Sequence, residues 1–302
     1  MEEYEIIIVG AGPGGLTAGI YAGRQNSKTL IIEKGLTGGQ GSEVPLMENY
    51  PGFELIEGME LIDKMKKQTL KYCEINEMEE VLLIEKIENG FKVNTTKDEY
   101  FSKSIILTTG GNHRHLNVKG ESEFIGKGVS YCAKCDGFFF KGKDVLVIGG
   151  GNSAAQEALY LSKIGCNVSI VHRRDQLRCQ KYLEDELKKN NIKIYYNSKV
   201  SKINGNLLVE SITVDELGVE KEIKTNAVFI SIGEIPSNQI AIDLGLSLDN
   251  EGYIITDKNQ KTSMDLVYGA GDICGGLKQW VVSCGEGAVA SNSAYKAINN
   301  LE

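Results

Sequence analysis

The chain has 302 residues, which is enough for two domains of about 150 residues each. Apolar residues make up 41% of it and charged residues 25%, and no apolar run reaches the roughly 18 residues of a membrane-spanning helix, so the composition is that of a globular protein outside the membrane. A formal net charge of −8 argues against nucleic acid as the main partner, because the phosphate backbone attracts basic surfaces.

The N-terminus and the cysteines indicate the compartment. Three of the first five residues are glutamates, and they lead directly into an apolar strand without the basic and apolar regions of a signal peptide, so we expect a cytoplasmic protein. Five of the seven cysteines show no pairing pattern and are expected to be free thiols in a reducing cytosol: Cys73, Cys166, Cys179, Cys274 and Cys284. The other two form the only C-x-x-C motif.

Two stretches of the chain follow the same plan. Each has an apolar strand, a glycine turn, a helix rich in small residues and a second apolar strand, first over Glu5–Glu33 and again over Asp144–Arg174. This is the pattern of a βαβ unit, whose strands pair in parallel. The sequence therefore predicts an α/β fold with two Rossmann-like dinucleotide-binding domains built on parallel sheets.

The segments that follow the two βαβ units have a different residue pattern. Short strand-like runs alternate with polar turns from Lys66 to Thr109 and from Ile192 to Ile232, which predicts β-meander crossovers. An apolar strand at Leu266–Tyr268, a Gly-Ala-Gly-Asp turn and a helix from about Glu286 complete the chain.

Glycine-bearing crossings near Gly110–Gly120 and Ser231–Pro236 mark the expected domain boundaries. We expect a discontinuous domain of residues 1–112 and 242–302. The second domain, residues 113–241, is inserted into it.

The first glycine turn fits the pyrophosphate of a dinucleotide. Gly10 permits the tight turn, Gly12 lets the pyrophosphate approach the backbone, and Gly15 lets the helix pack on the strand. Glu33 ends the next strand and can accept hydrogen bonds from ribose hydroxyls, while Asp272 stands beside a later helix start and can bind hydroxyls of a flavin. The alternative is a glycine-rich turn without a ligand.

Several motifs carry a family resemblance: Ile32-Glu33-Lys34-Gly35, Gly38-Gly39-Gln40, Glu48-Asn49-Tyr50-Pro51-Gly52-Phe53, and Gly269–Asp272 followed by Lys278-Gln279. With these, the chain resembles the bacterial-type, low-molecular-weight thioredoxin reductases, of the class II pyridine nucleotide-disulfide oxidoreductases, essentially from end to end. The resemblance implies that the first domain binds FAD. The expected FAD-binding residues are Gly10, Gly12, Pro13, Gly14, Gly15, Glu33, Lys34, Gly39, Gln40, Asn49, Thr109, Asp272 and Gln279.

The second glycine turn has the same form, and a basic cluster follows it. An NAD site usually has an acid at the end of the next strand, whereas arginines there suit the 2′-phosphate of NADP. The resemblance agrees, and the expected NADPH-binding residues are Gly149, Gly151, Asn152, Ser153, Ala154, His172, Arg173, Arg174 and Arg178. The alternative is a solvated basic turn, with Arg178 paired to Glu184 or Asp185.

Cys132 and Cys135 are placed three apart, so that they can close a small disulfide ring, and Asp136 follows them. A vicinal pair of this kind often contains one thiol of lowered pKa, and a nearby acid can move the proton that dithiol chemistry requires. The alternatives are two unrelated core cysteines, a pair that has lost its function, or half a zinc site, for which His113, His115 and His172 are the available histidines.

The resemblance assigns a role to each residue of the pair. It implies that Cys135 lies nearest the flavin, that Cys132 attacks the partner's disulfide, and that Asp136 is the acid–base residue. The implied function is a thioredoxin-disulfide reductase that uses FAD and NADPH, acts on thioredoxin or a thioredoxin-like protein, and forms a homodimer. Four positions depart from the family pattern: Asn152, Glu234, Lys278 and Trp280.

These departures keep other functions open. A flavin disulfide reductase fed by ferredoxin would share the fold, although the arginine cluster speaks against it. A reductase could also serve a peroxiredoxin-type or glutaredoxin-like partner, since docking surfaces have no motif. A non-catalytic redox or nucleotide sensor is a third alternative, but a sensor has no need of an acid beside a dithiol.

Overall fold

The computed structural model describes residues 2–44 and 47–301, so positions 1, 45, 46 and 302 of the expected first domain lie outside the described residues. The chain forms two compact units. Unit 1 comprises Met1–Asn112 and Ile235–Glu302, and unit 2 comprises His113–Glu234, so unit 2 is inserted into unit 1. Strands and helices are numbered below in chain order.

Unit 1 contains a seven-stranded sheet and four α-helices among its described residues. Its strands are β1 (Glu2–Val9), β2 (Thr29–Ile32), β3 (Glu74–Asn76), β4 (Val81–Ile87), β5 (Gly90–Thr95), β6 (Glu99–Leu107) and β17 (Val267–Gly269). Its helices are α1 (Pro13–Arg24), α2 (Gly58–Thr69), α6 (Gln239–Asp243) and α7 (Trp280–Ile298).

The sheet of unit 1 is parallel at its centre and antiparallel at one side. The strand order is β3-β2-β1-β6-β5-β4, with β17 also paired to β6. Strands β1, β2, β3, β6 and β17 pair in parallel, whereas β4, β5 and β6 form an antiparallel meander. The run Ile6–Val9 is buried along its whole length, as expected for a strand covered on both faces.

Unit 2 repeats this plan on a smaller scale. Its strands are β8 (Val129–Ser130), β9 (Asp144–Gly149), β10 (Asn167–Val171), β11 (Lys193–Tyr195), β12 (Ser198–Gly205), β13 (Val209–Glu216), β14 (Val219–Lys224) and β15 (Ala227–Ser231). Its helices are α3 (Ala133–Asp136), α4 (Asn152–Lys163) and α5 (Lys181–Lys189). A parallel sheet in the order β11-β10-β9-β15-β8 stands beside an antiparallel sheet β12-β13-β14, so the predicted fold of two parallel dinucleotide-binding sheets with meanders is confirmed.

The crossings between the units carry the short strands β7 (Gly111–His113) and β16 (Glu234–Pro236), which pair with each other. In the structure, unit 2 ends at Glu234 and unit 1 resumes at Ile235. The sequence analysis placed this boundary after Ala241. The difference has a packing cause, because Ala241, Leu244 and Leu246 are buried in the same apolar cluster as strand β1 of unit 1.

Helix α7 begins at Trp280 rather than near Glu286, because Gln279 is extended and caps its first turn. The run of small residues that suggested the later start serves close packing instead. A Cβ atom on Gly287 would stand only 2.1 Å from the carbonyl oxygen of Gly14, so α1 and α7 touch backbone to backbone there.

Candidate dinucleotide sites and the cysteine pair

In the first glycine turn, which lies in unit 1, the glycines have different structural roles. Gly10 has a φ of +106°, and a Cβ on Gly15 would lie 1.9 Å from the Gly10 carbonyl oxygen, so these two positions serve the turn and the packing. Gly12 caps α1, and a Cβ built there meets no atom within 4 Å. The helix start beside Gly12 is therefore open to a phosphate group, which backbone N–H groups at a helix N-terminus bind well. Pro13 follows at the first helical position, where its missing N–H costs nothing.

Glu33 is held beside this turn by the backbone. Its Oε2 accepts a hydrogen bond from the N–H of Ala11 at 2.8 Å, and its Oε1 accepts one from Gly35 at 2.9 Å. The side chain is buried, whereas Lys34 is exposed. Since each carboxylate oxygen has two lone pairs, Glu33 keeps acceptor capacity for a ribose hydroxyl.

Other expected flavin residues are joined to backbone or to each other. Asn49 donates its side-chain amide to Oε1 of Gln279 at 2.8 Å, which brings two distant motifs together. The Gln40 amide donates to the carbonyl of Gly111, and the Thr109 hydroxyl donates to the carbonyl of Ser237 at 2.8 Å. Gln40 and Thr109 therefore fix the first crossing of the chain, a task that the sequence did not indicate.

Gly39 lies directly against the first glycine turn. With a φ of +54° it adopts a conformation that favours glycine, and a Cβ there would be 3.8 Å from the Cα of Gly12. The neighbouring Gly38 donates its N–H to the carbonyl of Ala11 at 2.9 Å. The Gly38–Gly39 loop thus lines the phosphate side of the turn.

Two residues of α7 that the sequence did not single out bind the Gly271–Asp272 turn. The Ser283 hydroxyl donates to Oδ1 of Asp272 at 3.3 Å, and Glu286 accepts the N–H of Gly271 at 2.7 Å. Burial raises the pKa of Glu286, and the nearby Asp272 adds to this rise, while the Gly271 N–H opposes it. Ser283 and Glu286 stand one helical turn apart, so their i, i+3 spacing was a usable signal once α7 was known to begin at Trp280.

The second glycine turn, in unit 2, repeats the arrangement. A Cβ on Gly149 would lie 2.2 Å from the carbonyl oxygen of Ser231, and Ala154 is fully buried, so both serve packing. A Cβ on Gly151 meets nothing within 4 Å, and α4 begins at the next residue, so this helix start is open as well. The Asn152 side chain accepts the N–H of Gln180 at 2.8 Å, and Ser153 is exposed on the first turn of α4.

The arginine loop follows β10. Arg173, Arg174 and Arg178 are all exposed, and among residues 2–44 and 47–301 none of them forms an ion pair. The alternative that Arg178 pairs with Glu184 or Asp185 is wrong, because both acids pair with lysines of α5. Three guanidinium groups are therefore available to an anion.

His172 does not belong to this cationic set. Its ring packs against Gly150, where a Cβ would come within 2.2 Å of the imidazole, and its Nε2 is buried with no hydrogen-bond partner among the described residues. Burial lowers the pKa of His172, a backbone contact with Gln176 opposes this, and the charges of Arg178 and Arg174 lower it further. The lowered pKa favours the neutral imidazole, which supplies no charge to a phosphate.

Cys132 and Cys135 form a disulfide at the short helix α3. Cys132 caps this helix, and its Sγ accepts the N–H of Cys135 at 3.1 Å. Burial raises the pKa of the Asp136 carboxyl, which a hydrogen bond with Ser130 partly offsets. The arrangement provides a vicinal disulfide with an acid that keeps its proton to higher pH than an ordinary aspartate.

The zinc alternative does not fit this geometry. The cysteines are bonded to each other, and the rings of His113 and His115 both contact Tyr131 instead of the pair. In the part of the chain that the structure describes, no group of three or more histidine, cysteine or acidic side chains could hold a metal ion.

A second half-buried acid with a raised pKa, Glu157, lies in unit 2 on α4. Burial raises the pKa of Glu157 to about 7, while the Ser231 hydroxyl lowers it, Glu234 raises it and Lys134 lowers it. Its Oε2 is buried and makes no hydrogen bond to any described residue. The sequence analysis did not name Glu157. The usable signal was an acidic residue among the small, apolar residues of the first turns of α4.

Comparison with known proteins decides the family. The model of the pyridine nucleotide-disulphide oxidoreductases matches residues 4–287. The chain belongs to this family.

Its relatives within the family are thioredoxin reductases. The thioredoxin reductase of Treponema pallidum (strain Nichols) is 39% identical over 305 residues, which cover 99% of both chains. That of Bacillus subtilis (strain 168) is 39% identical over 314 residues, covering 99% of this chain and 96% of the relative. The crystal structure of thioredoxin reductase from Streptococcus pyogenes MGAS5005 superposes with a TM-score of 0.94 at 38% identity, covering 99% of each chain. The resemblance inferred from the motifs is thus confirmed.

As a pyridine nucleotide-disulphide oxidoreductase, the chain is an oxidoreductase that uses a flavin and a pyridine nucleotide. Both glycine turns fit such groups, since each helix start is open at its second glycine. None of the helices in the described residues combines the length and the apolar character that crossing a membrane requires.

Proposed function

We propose that this oxidoreductase is an NADPH-dependent thioredoxin-disulfide reductase. Electrons pass from NADPH through FAD to the Cys132–Cys135 disulfide, and from the resulting dithiol to the disulfide of thioredoxin or a thioredoxin-like protein. The observation that carries the proposal is the disulfide itself, which closes beside the half-buried Asp136 in a unit that also presents an open dinucleotide turn and three arginines without ion pairs among the described residues.

Unit 1 is the proposed FAD domain. The open helix start at Gly12 receives the pyrophosphate, and Glu33 accepts a ribose hydroxyl with its remaining lone pairs. Asp272, fixed by Ser283, binds hydroxyls of the flavin chain, and the Asn49–Gln279 pair presents polar groups to it. FAD, when bound, supplies the link between hydride transfer and the reduction of a disulfide.

Unit 2 is the proposed NADPH domain. Gly151 receives the pyrophosphate, and the guanidinium groups of the arginine loop bind the 2′-phosphate, for which their planar donor sets are suited. The absence of acidic partners for these groups within the described residues favours NADPH over ferredoxin as the electron donor.

The cysteine pair and Asp136 carry the disulfide exchange. Two electrons break the Cys132–Cys135 bond, and the Cys132 thiolate then attacks one sulfur of the partner's disulfide to form a mixed disulfide. The partner's other sulfur leaves as a thiolate in this attack. Cys135 then attacks the Cys132 sulfur, displaces the partner sulfur bound to it and restores the Cys132–Cys135 bond. Asp136, whose pKa is raised by burial, delivers the proton that the leaving thiolate takes up. One NADPH and one proton are consumed for each partner dithiol formed.

Three further assignments belong to the same proposal. The partner is thioredoxin or a close analogue, because relatives that are 39% identical over nearly the whole chain carry the name thioredoxin reductase. The enzyme acts in the cytoplasm, where the five remaining cysteines stay free thiols. It forms a homodimer, in which exposed apolar side chains of unit 1 such as Leu55 and Met59 become covered.

Anaerobic titration tests the proposal. The purified protein is expected to be yellow, to be bleached by NADPH, and to regain its colour when oxidised thioredoxin is added. A colourless protein that takes up no flavin would refute it. Bleaching by reduced ferredoxin but not by NADPH would favour the ferredoxin-fed alternative, and return of colour only with a glutaredoxin-like or peroxiredoxin-type protein would change the partner.

A further inference from the structure

Tyr131, the residue directly before Cys132, is held on both sides by histidines. The ring of His113 stacks on it with centroids 4.9 Å apart and an interplanar angle of 12°. The ring of His115 meets it edge-on at 5.4 Å, and its Nδ1 lies 2.8 Å from the Tyr131 hydroxyl. Two of the three histidines in the chain thus contact one tyrosine.

The hydroxyl of Tyr131 is anchored as well. It donates to Oε1 of Glu121 at 2.8 Å, and the Glu121 side chain is only 5% exposed. Glu121 in turn accepts the backbone N–H groups of Leu116 at 2.9 Å and Asn117 at 2.7 Å. A carboxylate with three donors of this kind is fixed, so the tyrosine that it binds is fixed too.

The stacked histidine is also held in place. Nδ1 of His113 lies 3.4 Å from Oε1 of Glu234, and these are the first and last residues of unit 2. Tyr131 is therefore packed against the point at which the chain enters and leaves this unit. That point is tied by the hydrogen bond from the Arg114 N–H to the carbonyl of Gly233 at 3.0 Å.

Cys132 is held by contacts within α3 and by the chain that precedes it. Helix α3 has only four residues, which is too short to be stable by itself. Inside this short helix the carbonyl of Cys132 accepts the N–H groups of Cys135 at 3.2 Å and Asp136 at 3.1 Å. Before the helix, the N–H of Cys132 donates to the Ser130 hydroxyl at 3.0 Å. Outside the helix, Cys132 is therefore held by Ser130 and by its peptide link to Tyr131.

We propose that Tyr131 is a positioning residue that holds Cys132 within bonding distance of Cys135 and thereby stabilises the disulfide form over the dithiol. The physical reason is entropic, since closing a ring costs less when one of its ends is already immobile. Reduction breaks the S–S bond, takes up two electrons and two protons and leaves two thiols, so it releases the restraint on Cys135 but not the support of Cys132. The inference rests on the proposed function only in taking this pair as redox-active.

Equilibration of the whole enzyme with buffers of reduced and oxidised dithiothreitol tests the inference. Rapid alkylation and mass spectrometry of the Cys132–Cys135 peptide then give the ratio of dithiol to disulfide. Tyr131→Leu is expected to shift this equilibrium about tenfold toward the dithiol, which corresponds to about 30 mV. Tyr131→Phe keeps the stacked ring and loses the bond to Glu121, so its shift should be smaller and in the same direction.

Tyr182→Leu is the matched control, because this exposed tyrosine lies on α5 of the same unit. It should leave the equilibrium unchanged, and bleaching by NADPH shows that each variant is folded. Should Tyr131→Leu fail to fold, His113→Asn keeps the tyrosine, removes the stacked ring together with its contact to Glu234, and must shift the equilibrium the same way. An equilibrium within twofold of the wild type in whichever of these variants folds would overturn the inference.

The outcome is separable from that of the proposed function. The equilibrium with dithiothreitol needs no protein partner, so a shift in Tyr131→Leu supports the inference even if thioredoxin is not the substrate. Thioredoxin reduction by the wild type with no shift in the variant would refute the inference and leave the proposed function intact.

Discussion

The backbone N–H of Arg178 donates a hydrogen bond to the carbonyl oxygen of Gly150 at 2.7 Å. This bond ties the arginine loop to the second glycine turn, and the buried ring of His172 packs against the same glycine. The guanidinium groups are consequently placed by backbone contacts that need no ligand. A preformed loop of this kind loses little entropy when it binds a phosphate.

The arginine loop should therefore determine the preference for NADPH over NADH. Arg174→Gln removes one charge-assisted contact, worth about 1.5–3 kcal/mol, and is expected to raise the KM for NADPH about tenfold or more with little change in kcat. The KM for NADH should stay the same, since NADH has no 2′-phosphate. Steady-state kinetics with both nucleotides measure this, with Arg24→Gln in unit 1 as the control. Equal losses with the two nucleotides would contradict the assignment.

The open helix starts allow the two cofactors to be assigned separately. A Cβ at Gly12 or Gly151 meets no protein atom, so Gly12→Ala and Gly151→Ala should both fold and should hinder only the approach of a pyrophosphate. Gly12→Ala is expected to be nearly colourless. Gly151→Ala is expected to be yellow and to resist bleaching by NADPH. Absorption spectra before and after NADPH record both results.

A packing glycine provides the contrast. Gly15→Ala would place its Cβ 1.9 Å from the carbonyl oxygen of Gly10, so it should reduce the yield of folded protein rather than the affinity for a cofactor. The assignment of FAD to unit 1 would be wrong if Gly12→Ala purified with full flavin while Gly151→Ala lost it.

Asp136 should be required for the disulfide exchange with thioredoxin and should have no role in the preceding reduction of the flavin by NADPH. Asp136→Asn removes the proton donor and is expected to lower turnover with thioredoxin by about 100-fold or more, since a placed general acid contributes roughly 10²–10⁴-fold. Bleaching of the flavin by NADPH in a stopped-flow instrument should keep its rate. The exposed Asp175 provides a control as Asp175→Asn. Slower bleaching in Asp136→Asn would show that its role lies elsewhere.

Glu157 should make the stability of unit 2 depend on pH. Its pKa is about 7 in the folded protein, against 4.5 for an ordinary glutamate. Below pH 4.5 the side chain is protonated in both states, and as the pH rises from there through 7 only the unfolded chain loses the proton, so stability falls. At about 1.4 kcal/mol for each pKa unit, the loss amounts to roughly 3 kcal/mol.

Glu157→Gln lacks this ionisation and should become more stable relative to the wild type as the pH rises from 5 to 8. The urea midpoint at several pH values, without nucleotide, measures the difference. Glu123→Gln, on the surface of the same unit, should show no such trend. A constant difference between Glu157→Gln and the wild type across this range would show that the carboxyl is not buried as described.

The fold could be predicted because its signals are local. Each βαβ unit is read from an apolar strand, a glycine turn and a small-residue helix within about 30 residues. The motifs at Gly10–Gly15, Gly149–Ala154 and Cys132–Cys135 are of the same kind, and each lies at the strand–helix junction or short helix expected for it.

The parts that the sequence missed depend on contacts between distant segments. Nothing near Gln40 or Thr109 indicates that each hydrogen bonds to backbone at a crossing of the chain. Likewise, His172 lies within a basic motif, and only the fold reveals that its ring is buried against Gly150. The start of α7 was misplaced because Trp280 and the valines after it do not resemble the small residues that fill the rest of that helix.

The central claim is that electrons reach the partner through the Cys132–Cys135 pair. Its most direct test is the oxidation of NADPH in the presence of oxidised thioredoxin, compared between the wild type and Cys135→Ser, with reduction of an artificial dye acceptor recorded in parallel. The account predicts that Cys135→Ser keeps its flavin and its dye activity and loses thioredoxin reduction by more than 100-fold. Thioredoxin reduction at the wild-type rate in this variant would contradict it.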